Sequence, residues 1–196
     1  MIHQILNNIE IVLASASPRR RELFALLGLQ PIVLPSDVPE PISDEAPELQ
    51  AMKHAKNKAT KILPKTEPNQ LIVAADTLVV IEQRILGKPE NVEEARSFLR
   101  MLSNRKHSVY TGVCLIYKGT TLCDYEKTEV CFAPLSDSEI SAYLSTKEPM
   151  DKAGAYGIQG YGAQFIVCVN GCYFNVMGFP IRKFYDMLSQ LLQRQL

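Results

Sequence analysis

The run LIVAADTLVVI, residues 71–81, constrains this chain more than any other stretch: it is apolar almost throughout, yet Asp76 sits in its middle. Such a run without polar alternation is expected of a central strand covered on both faces, which requires helices on either side of a sheet. A carboxylate inside that strand costs roughly several kcal/mol unless it is paired, hydrated or bound to metal. Three roles fit Asp76 at this level: a hard oxygen ligand for Mg²⁺ or Mn²⁺, a general base tuned by its surroundings, or a structural carboxylate tied to backbone N–H groups. Thr77 sets a hydroxyl beside it.

LASASPRRRELFALL, residues 13–27, announces a helix start and places Arg19 and Arg20 in its first turn. Ser17 suits the N-cap, Pro18 the first helical position, and Leu23, Leu26 and Leu27 supply an apolar stripe ending at Gly28. Cations at a helix N-terminus are disfavoured by about 0.3–1 kcal/mol each, so removing Arg20 is expected to leave the unliganded fold no less stable. A strand-like run (9–14) and a small hydroxyl-bearing loop with Ser15 precede the helix. That order receives anions, and arginine forks match phosphate oxygens in pairs. A solvated basic turn with Glu22 as local partner is the alternative.

The chain has 196 residues, enough for one large domain or two tightly joined lobes. Lys plus Arg and Asp plus Glu both number 21, so no overall charge favours nucleic acid or an anionic membrane. No apolar stretch approaches the ~18 residues of a membrane span and the N-terminus lacks a signal-peptide pattern, which leads to the expectation of a soluble, cytoplasmic protein. The five cysteines contain no C-x-x-C pair and read as reduced, buried thiols; a bridge between Cys168 and Cys172 across VNG is disfavoured. His3, His54 and His107 have no acid or cysteine at a diagnostic spacing, so neither a histidine triad nor a zinc site is expected.

Pro and acidic residues cluster in a long loop at 35–48, where Glu40 offers a second carboxylate for a metal. A helix follows over 49–63 with Leu49, Met52, Ala55, Ala59 and Leu63 on its apolar face and most of Lys53, Lys56, Lys58 and Lys61 in solvent. LGKPE sets Lys88 in a rigid turn, as an aimed ammonium or an ordinary exposed lysine. Asn91 with Glu94 and Ser136 with Glu139 cap two more helices, and Lys118-Gly119 turns a long hairpin between 108–117 and 121–132. The segment 151–163 carries Gly154, Gly157, Gly160 and Gly162, which suits close backbone approach to a ligand, and its Gln159 amide can read a base edge. QFIVCV, a hairpin turn at Asn170-Gly171 and an amphipathic C-terminal helix complete a mixed β-sheet flanked by helices.

LASASPRRRELFALLGL, AADTLVV, LGKP, MLSNRKHSVYTGV, DKAGAYGIQGYGAQFI and NVMGFPI resemble, in this order and spacing, the Maf family of nucleoside triphosphate pyrophosphatases. The resemblance implies a single Maf-like domain over 1–196 with two closely joined lobes. It further implies an α/β fold related to the inosine triphosphate pyrophosphatases, an active cleft between the lobes, and room for a homodimer. The implied partner is a nucleoside triphosphate, cut between the α- and β-phosphates with a divalent metal, Mg or Mn. Carried over by position, Asp76 is the proton acceptor and Arg19, Thr77 and Gln159 are specificity positions. Ser15, Arg20, Glu40, Lys58 and Lys88 match other polar cleft positions. Lys88 thus joins Asp76 as a catalytic candidate, Glu40 joins Asp76 as a metal candidate, and Ser15, Arg19, Arg20, Lys58, Thr77 and Gln159 are substrate-binding candidates. DKAGAYGIQG is similar to the branch acting on dTTP and UTP. SNRKHSV departs from the usual SGRSHSV, but Asn104 tolerates positive φ and should keep the turn. The alternative is a non-catalytic nucleotide-binding regulator of septum formation, which needs the phosphate cradle but not Asp76 as a base.

Overall fold

In the computed structural model, which describes residues 1–193, the apolar run is strand β3 (Leu71–Ile81) at the centre of a seven-stranded mixed sheet. Strand β1 (Ile11–Leu13) lies parallel on one side of it, with β2 (Ile32–Val33) beyond. On the other side come antiparallel β5 (Lys106–Tyr117), β6 (Thr120–Phe132) and β7 (Ile166–Asn170). Short β4 (Arg84–Leu86) folds back on the far end of β3. The β5–β6 turn is at Lys118 and Gly119, both at positive φ, as the twist of a two-residue hairpin demands.

The α-helices among the described residues are α1 (Ile2–Leu6), α2 (Pro18–Leu26), α3 (Pro47–Ile62), α4 (Val92–Leu102), α5 (Asp137–Ser145), α6 (Tyr173–Val176) and α7 (Ile181–Gln193). The expected caps are present at Asn91 and Ser136, whose side chains accept from the backbone N–H groups of Glu94 and Glu139. Asn104 turns at φ 55°.

Successive residues of a strand point to opposite faces, and β3 uses this to divide the core. Leu71, Val73 and Ala75 pack with Phe24 of α2 and with Phe184 and Leu188 of α7. Val79 and Ile81 belong to a second cluster built with Phe98 and Leu99 of α4 and Ile140 and Tyr143 of α5. Thr77 falls between the two. On the opposite face, Ile72 and Ala74 lie under Ala55, Ala59 and Ile62 of α3. The two flanking strands also leave β3 partly open. β1 pairs with it only as far as Val73 and β4 begins pairing at Val79. Among the described residues, no strand covers that edge between them, and Asp76 and Thr77 lie in the gap.

Three expectations are corrected. Leu26 is 66% exposed and Phe24 takes its place in the core, while Leu49 is 53% exposed because α3 turns Gln50, Ala51, His54, Ala55, Lys58 and Ala59 inward instead. No hairpin forms at Asn170-Gly171; the chain enters α6, held there because Thr128 Oγ1 accepts from the Cys172 N–H (3.0 Å) and the Asn175 amide (2.9 Å). Nor are all cysteines reduced: Cys131 and Cys168 are joined by a disulfide. They are direct partners across the β6–β7 ladder, a juxtaposition that sequence spacing does not reveal.

Helix α3 reaches the sheet closely because its inner face is alanine and because Gly112 of β5 lies under it. A Cβ at Gly112 would overlap the backbone carbonyl of Ala51. Gly112→Ala is therefore expected to lower stability by about 1–3 kcal/mol through overpacking, read from the urea unfolding midpoint. An unchanged midpoint would show that α3 is not seated through this contact.

Candidate active site

Residues four apart share a helix face, and α3 presents Gln50, His54 and Lys58 along one line beside its alanines. All three are buried. The Lys58 ammonium donates to Asp76 Oδ1 at 2.7 Å and pairs with Glu40 Oε1 at 2.6 Å. His54 Nδ1 lies 3.0 Å from Asp76 Oδ2, and its Nε2 lies 3.2 Å from the carbonyl oxygen of Pro41. Both ring nitrogens thus face acceptors, which favours the doubly protonated ring. Accordingly the hydrogen bond to Asp76 raises the His54 pKa against the opposing effect of burial. The Gln50 amide donates to the carbonyls of Ser43 (2.8 Å) and Glu45 (2.6 Å) and its oxygen accepts from the Ser43 N–H (3.0 Å). One helix face therefore pins the acidic loop and carries a lysine ammonium and an imidazole to Asp76.

Asp76 is only 4% exposed. Burial alone pushes its carboxyl up, but the His54 hydrogen bond, the charge and hydrogen bond of Lys58, and the field of Arg20 together hold it below the usual carboxylate range. The group stays ionised at neutral pH. This removes the reading in which backbone N–H groups compensate it, because its partners are side chains that converge on a cleft.

Arg20 comes from the opposite face of the sheet. Ser17 is the N-cap residue and Pro18 opens α2, as the sequence indicates. Arg20 turns inward with Leu23 and Phe24 and is buried. Its Nε donates to the carbonyl of Gly178 (2.8 Å), Nη1 to Ser15 Oγ (3.0 Å) and Nη2 to Thr77 Oγ1 (3.2 Å). These contacts use three of its five N–H groups. Burial pulls its pKa down against the fields of Asp76 and Glu40. The expectation that Arg20 is an unfavourable helix-start cation is thus corrected: it is a buried tie between the β1–α2 loop, β3 and the turn at Gly178.

These groups line one cleft of about 620 Å³, within the range of small-ligand sites. Ser15, Arg19, Arg20, Glu40, Lys58, Asp76, Thr77 and Lys88 all border it, with Tyr156, Gly157 and Ile158 from the glycine-rich segment on a further wall. Arg19 Nη1 lies 3.6 Å from Asp151 Oδ2. Gln159 is exposed and is not among the lining residues. A separate groove of about 540 Å³ beside residues 43–47 contains none of the residues expected from the sequence. Sequence reasoning missed His54. Its signal was the series Gln50, His54, Lys58 in step with Ala51, Ala55, Ala59: a polar line bordering a face of small residues is more than a solvated surface.

The family model for Maf-like protein matches residues 10–191. The chain belongs to the Maf family. A protein of Caldicellulosiruptor saccharolyticus named dTTP/UTP pyrophosphatase is 46% identical to it over 188 residues, covering 93% of this chain and 94% of that one. A Bacillus cereus protein of the same name is 44% identical over 182 residues, covering 92% and 95%. Among solved structures, the Staphylococcus aureus Ham1 protein superposes with TM-score 0.50 over 95% of this chain and 100% of its own at 15% identity, a likeness of fold. In this Maf chain the sequence blocks of the resemblance are brought together by the gap in β3.

Arg20→Ala is expected to destabilise this Maf chain by on the order of 2–3 kcal/mol, since charged hydrogen bonds are lost and the Gly178 carbonyl loses its donor. Thermal melts without ligand measure this, and a melting temperature equal to or above the parent's would restore the helix-start view. Behind Tyr156, His107 Nε2 lies 2.7 Å from the Tyr156 hydroxyl, and burial pushes its pKa from 6.5 down to about 4. The unfolded chain then binds this proton first. The stability contributed by neutral His107 is complete above pH 6.5 and falls by about 3 kcal/mol as pH drops toward 4. His107→Phe should flatten that part of the stability–pH curve, and identical slopes in the two proteins would contradict it.

Proposed function

We propose that this chain is a nucleoside triphosphate pyrophosphatase that hydrolyses dTTP and UTP to the monophosphate and pyrophosphate. The observation that carries the reading is an ionised, buried carboxylate, Asp76, opening onto a cleft bordered by Arg19, Arg20, Lys58 and Lys88. Near-identical coverage by two proteins named for this activity supports the same reading.

Asp76 accepts a proton from the water that attacks the α-phosphorus. Its acid form is disfavoured by His54, Lys58 and Arg20, so at neutral pH it stands as the ionised acceptor that orients the water and receives its proton as the attack proceeds. His54 and Lys58 fix one carboxylate oxygen each. Lys58, Lys88, Arg19 and the remaining N–H groups of Arg20 stabilise the polyphosphate charge as it grows toward the leaving pyrophosphate. Ser15 accepts from both Arg20 Nη1 (3.0 Å) and the Ser17 N–H (3.2 Å), which sets the loop that receives the phosphates.

Among the described residues no group of three or more His, Cys, Asp or Glu is arranged for a metal. Two carboxylate oxygens, from Asp76 and Glu40, nevertheless converge on a single cation, the Lys58 ammonium, at 2.7 and 2.6 Å. That donor set fits Mg²⁺ or Mn²⁺, hard ions commonly held by one or two carboxylates with phosphate oxygens and water completing the shell. Asp76 and Glu40 would hold the ion, which would supply charge neutralisation on the phosphates.

Asp76→Asn keeps size and removes charge. It is expected to lower the turnover number for pyrophosphate release from UTP and dTTP by about 10²–10⁴-fold in a folded protein. Near-parental turnover in that variant would remove Asp76 from the chemistry.

A further inference from the structure

Strand β6 carries two cysteines, and each stands directly opposite a cysteine of a neighbouring strand. Cys131 faces Cys168 of β7, and Cys123 faces Cys114 of β5. The first pair is bridged, with its Cα atoms 5.0 Å apart. The second is free, yet its sulfur atoms lie only 2.8 Å apart. Directly opposed residues of an antiparallel pair hold their Cα atoms about 4.5 or 5.5 Å apart, and both spacings fall within the ~4.4–6.8 Å that a disulfide spans. Register alone thus prepares Cys114 and Cys123 for a bond without displacement of either strand. The two thiols differ in access. Cys114 is fully buried in the cluster it shares with Ala55 and Ala59 of α3, whereas Cys123 is half-buried at the margin of that cluster. The hydrogen bond between them, together with burial, pushes the Cys114 pKa up. The same hydrogen bond, with the Lys56 ammonium, pulls that of Cys123 down against burial. The thiolate, which is the nucleophilic form, therefore develops on the sulfur that solvent can reach, and a second thiol stands behind it.

We propose that Cys114 and Cys123 form a reversible oxidation site, which a hydroperoxide converts into a second cross-strand disulfide. The Cys123 thiolate attacks one peroxide oxygen and the O–O bond breaks, so the sulfur is oxidised to a sulfenic acid and hydroxide leaves. The Cys114 sulfur then attacks the Cys123 sulfur. The S–O bond breaks, and the departing hydroxyl leaves as water with the Cys114 proton. Written for hydrogen peroxide, two thiols and one peroxide give one disulfide and two waters, the first hydroxide taking the proton that Cys123 had released. An oxidant of this size suits a half-buried sulfur. Without Cys114, the sulfenic acid goes on to a sulfinic acid that thiols do not reverse. That product is an anion at the apolar seat of α3, where a charge without a partner is costly. The disulfide keeps the seat apolar and returns to two thiols under a reductant. Cys114 thus guards the contact on which the placement of His54 and Lys58 depends.

The test treats the folded chain with hydrogen peroxide at a dose that fully oxidises N-acetylcysteine in a parallel tube, blocks the remaining thiols with iodoacetamide and digests with trypsin without reduction. Cleavage after Lys106, Lys118 and Lys127 places Cys114 in 107–118 and Cys123 in 119–127, apart from the other cysteines. The two peptides are expected to appear linked, lighter than their sum by two hydrogens, and to separate in dithiothreitol. In Cys114→Ala the peptide 119–127 should instead gain two oxygens that dithiothreitol does not remove. Melting temperatures taken after peroxide followed by dithiothreitol give a second reading. The parent is expected to return to its untreated value, and Cys114→Ala to stay below its own. Recovery of both cysteines in the parent as alkylated thiols after peroxide overturns the proposal, as does Cys123 reaching the sulfinic acid in the parent to the same extent as in the variant. A linkage of either peptide to Cys131 or Cys168 in place of the other overturns it as well.

Discussion

An ionised Asp76 in the middle of the sheet must be met by cations that come equally deep, and α3 is shaped to deliver them. Long cationic side chains keep their heads in water unless their backbone is brought close to the buried partner. Ala51, Ala55 and Ala59 remove bulk from one side of that approach, and Gly112 removes it from the other. Gly112 is the cross-strand partner of Asp76, so the point of closest helix–sheet contact coincides with the charge to be compensated. The sheet position that would ordinarily hold a packing side chain is used to seat the helix.

The adjacent cross-strand pair, Thr77 with Thr111, serves the other face. There Arg20 is fixed by three neutral acceptors, with Asp76 and Glu40 acting on it only through their fields. A buried cation without a directly bound carboxylate is costly, and the cost is tolerable where an anionic ligand completes the pairing. The same guanidinium orients Thr77 and depresses the Asp76 pKa. Arg20 therefore links the Thr77 hydroxyl to the group that would accept the proton, and its loss should disturb both.

Much of this was legible because the deciding signals are local. The unalternating run 71–81 implies a strand covered on both faces, Asp76 within it implies an opening, and Pro18 after Ser17 and the Ser136–Glu139 capping box mark helix starts. What was missed depends on which strands become neighbours. Cys131 and Cys168 are 37 residues apart and meet only because β7 adds to β6. His54 reads as an isolated histidine until α3 is laid across Gly112, which puts its ring against Asp76. The fate of Arg20 was misjudged for a related reason: the macrodipole argument considers one helix, whereas the acceptors that hold the side chain come from residues 15, 77 and 178.

Local charge also explains how a chain with equal numbers of acidic and basic residues can be built for a polyanion. The cleft is bordered by Arg19, Arg20, Lys58, Lys88 and Lys152 against Glu40, Asp76 and Asp151, so two positive charges are in excess. Fields from exposed charges decay over roughly 8 Å at physiological salt. A triphosphate small enough to enter the cleft meets the uncompensated pair at short range and low dielectric. The depth such a ligand can reach is set by the gap in β3, where β1 has ended and β4 has not begun.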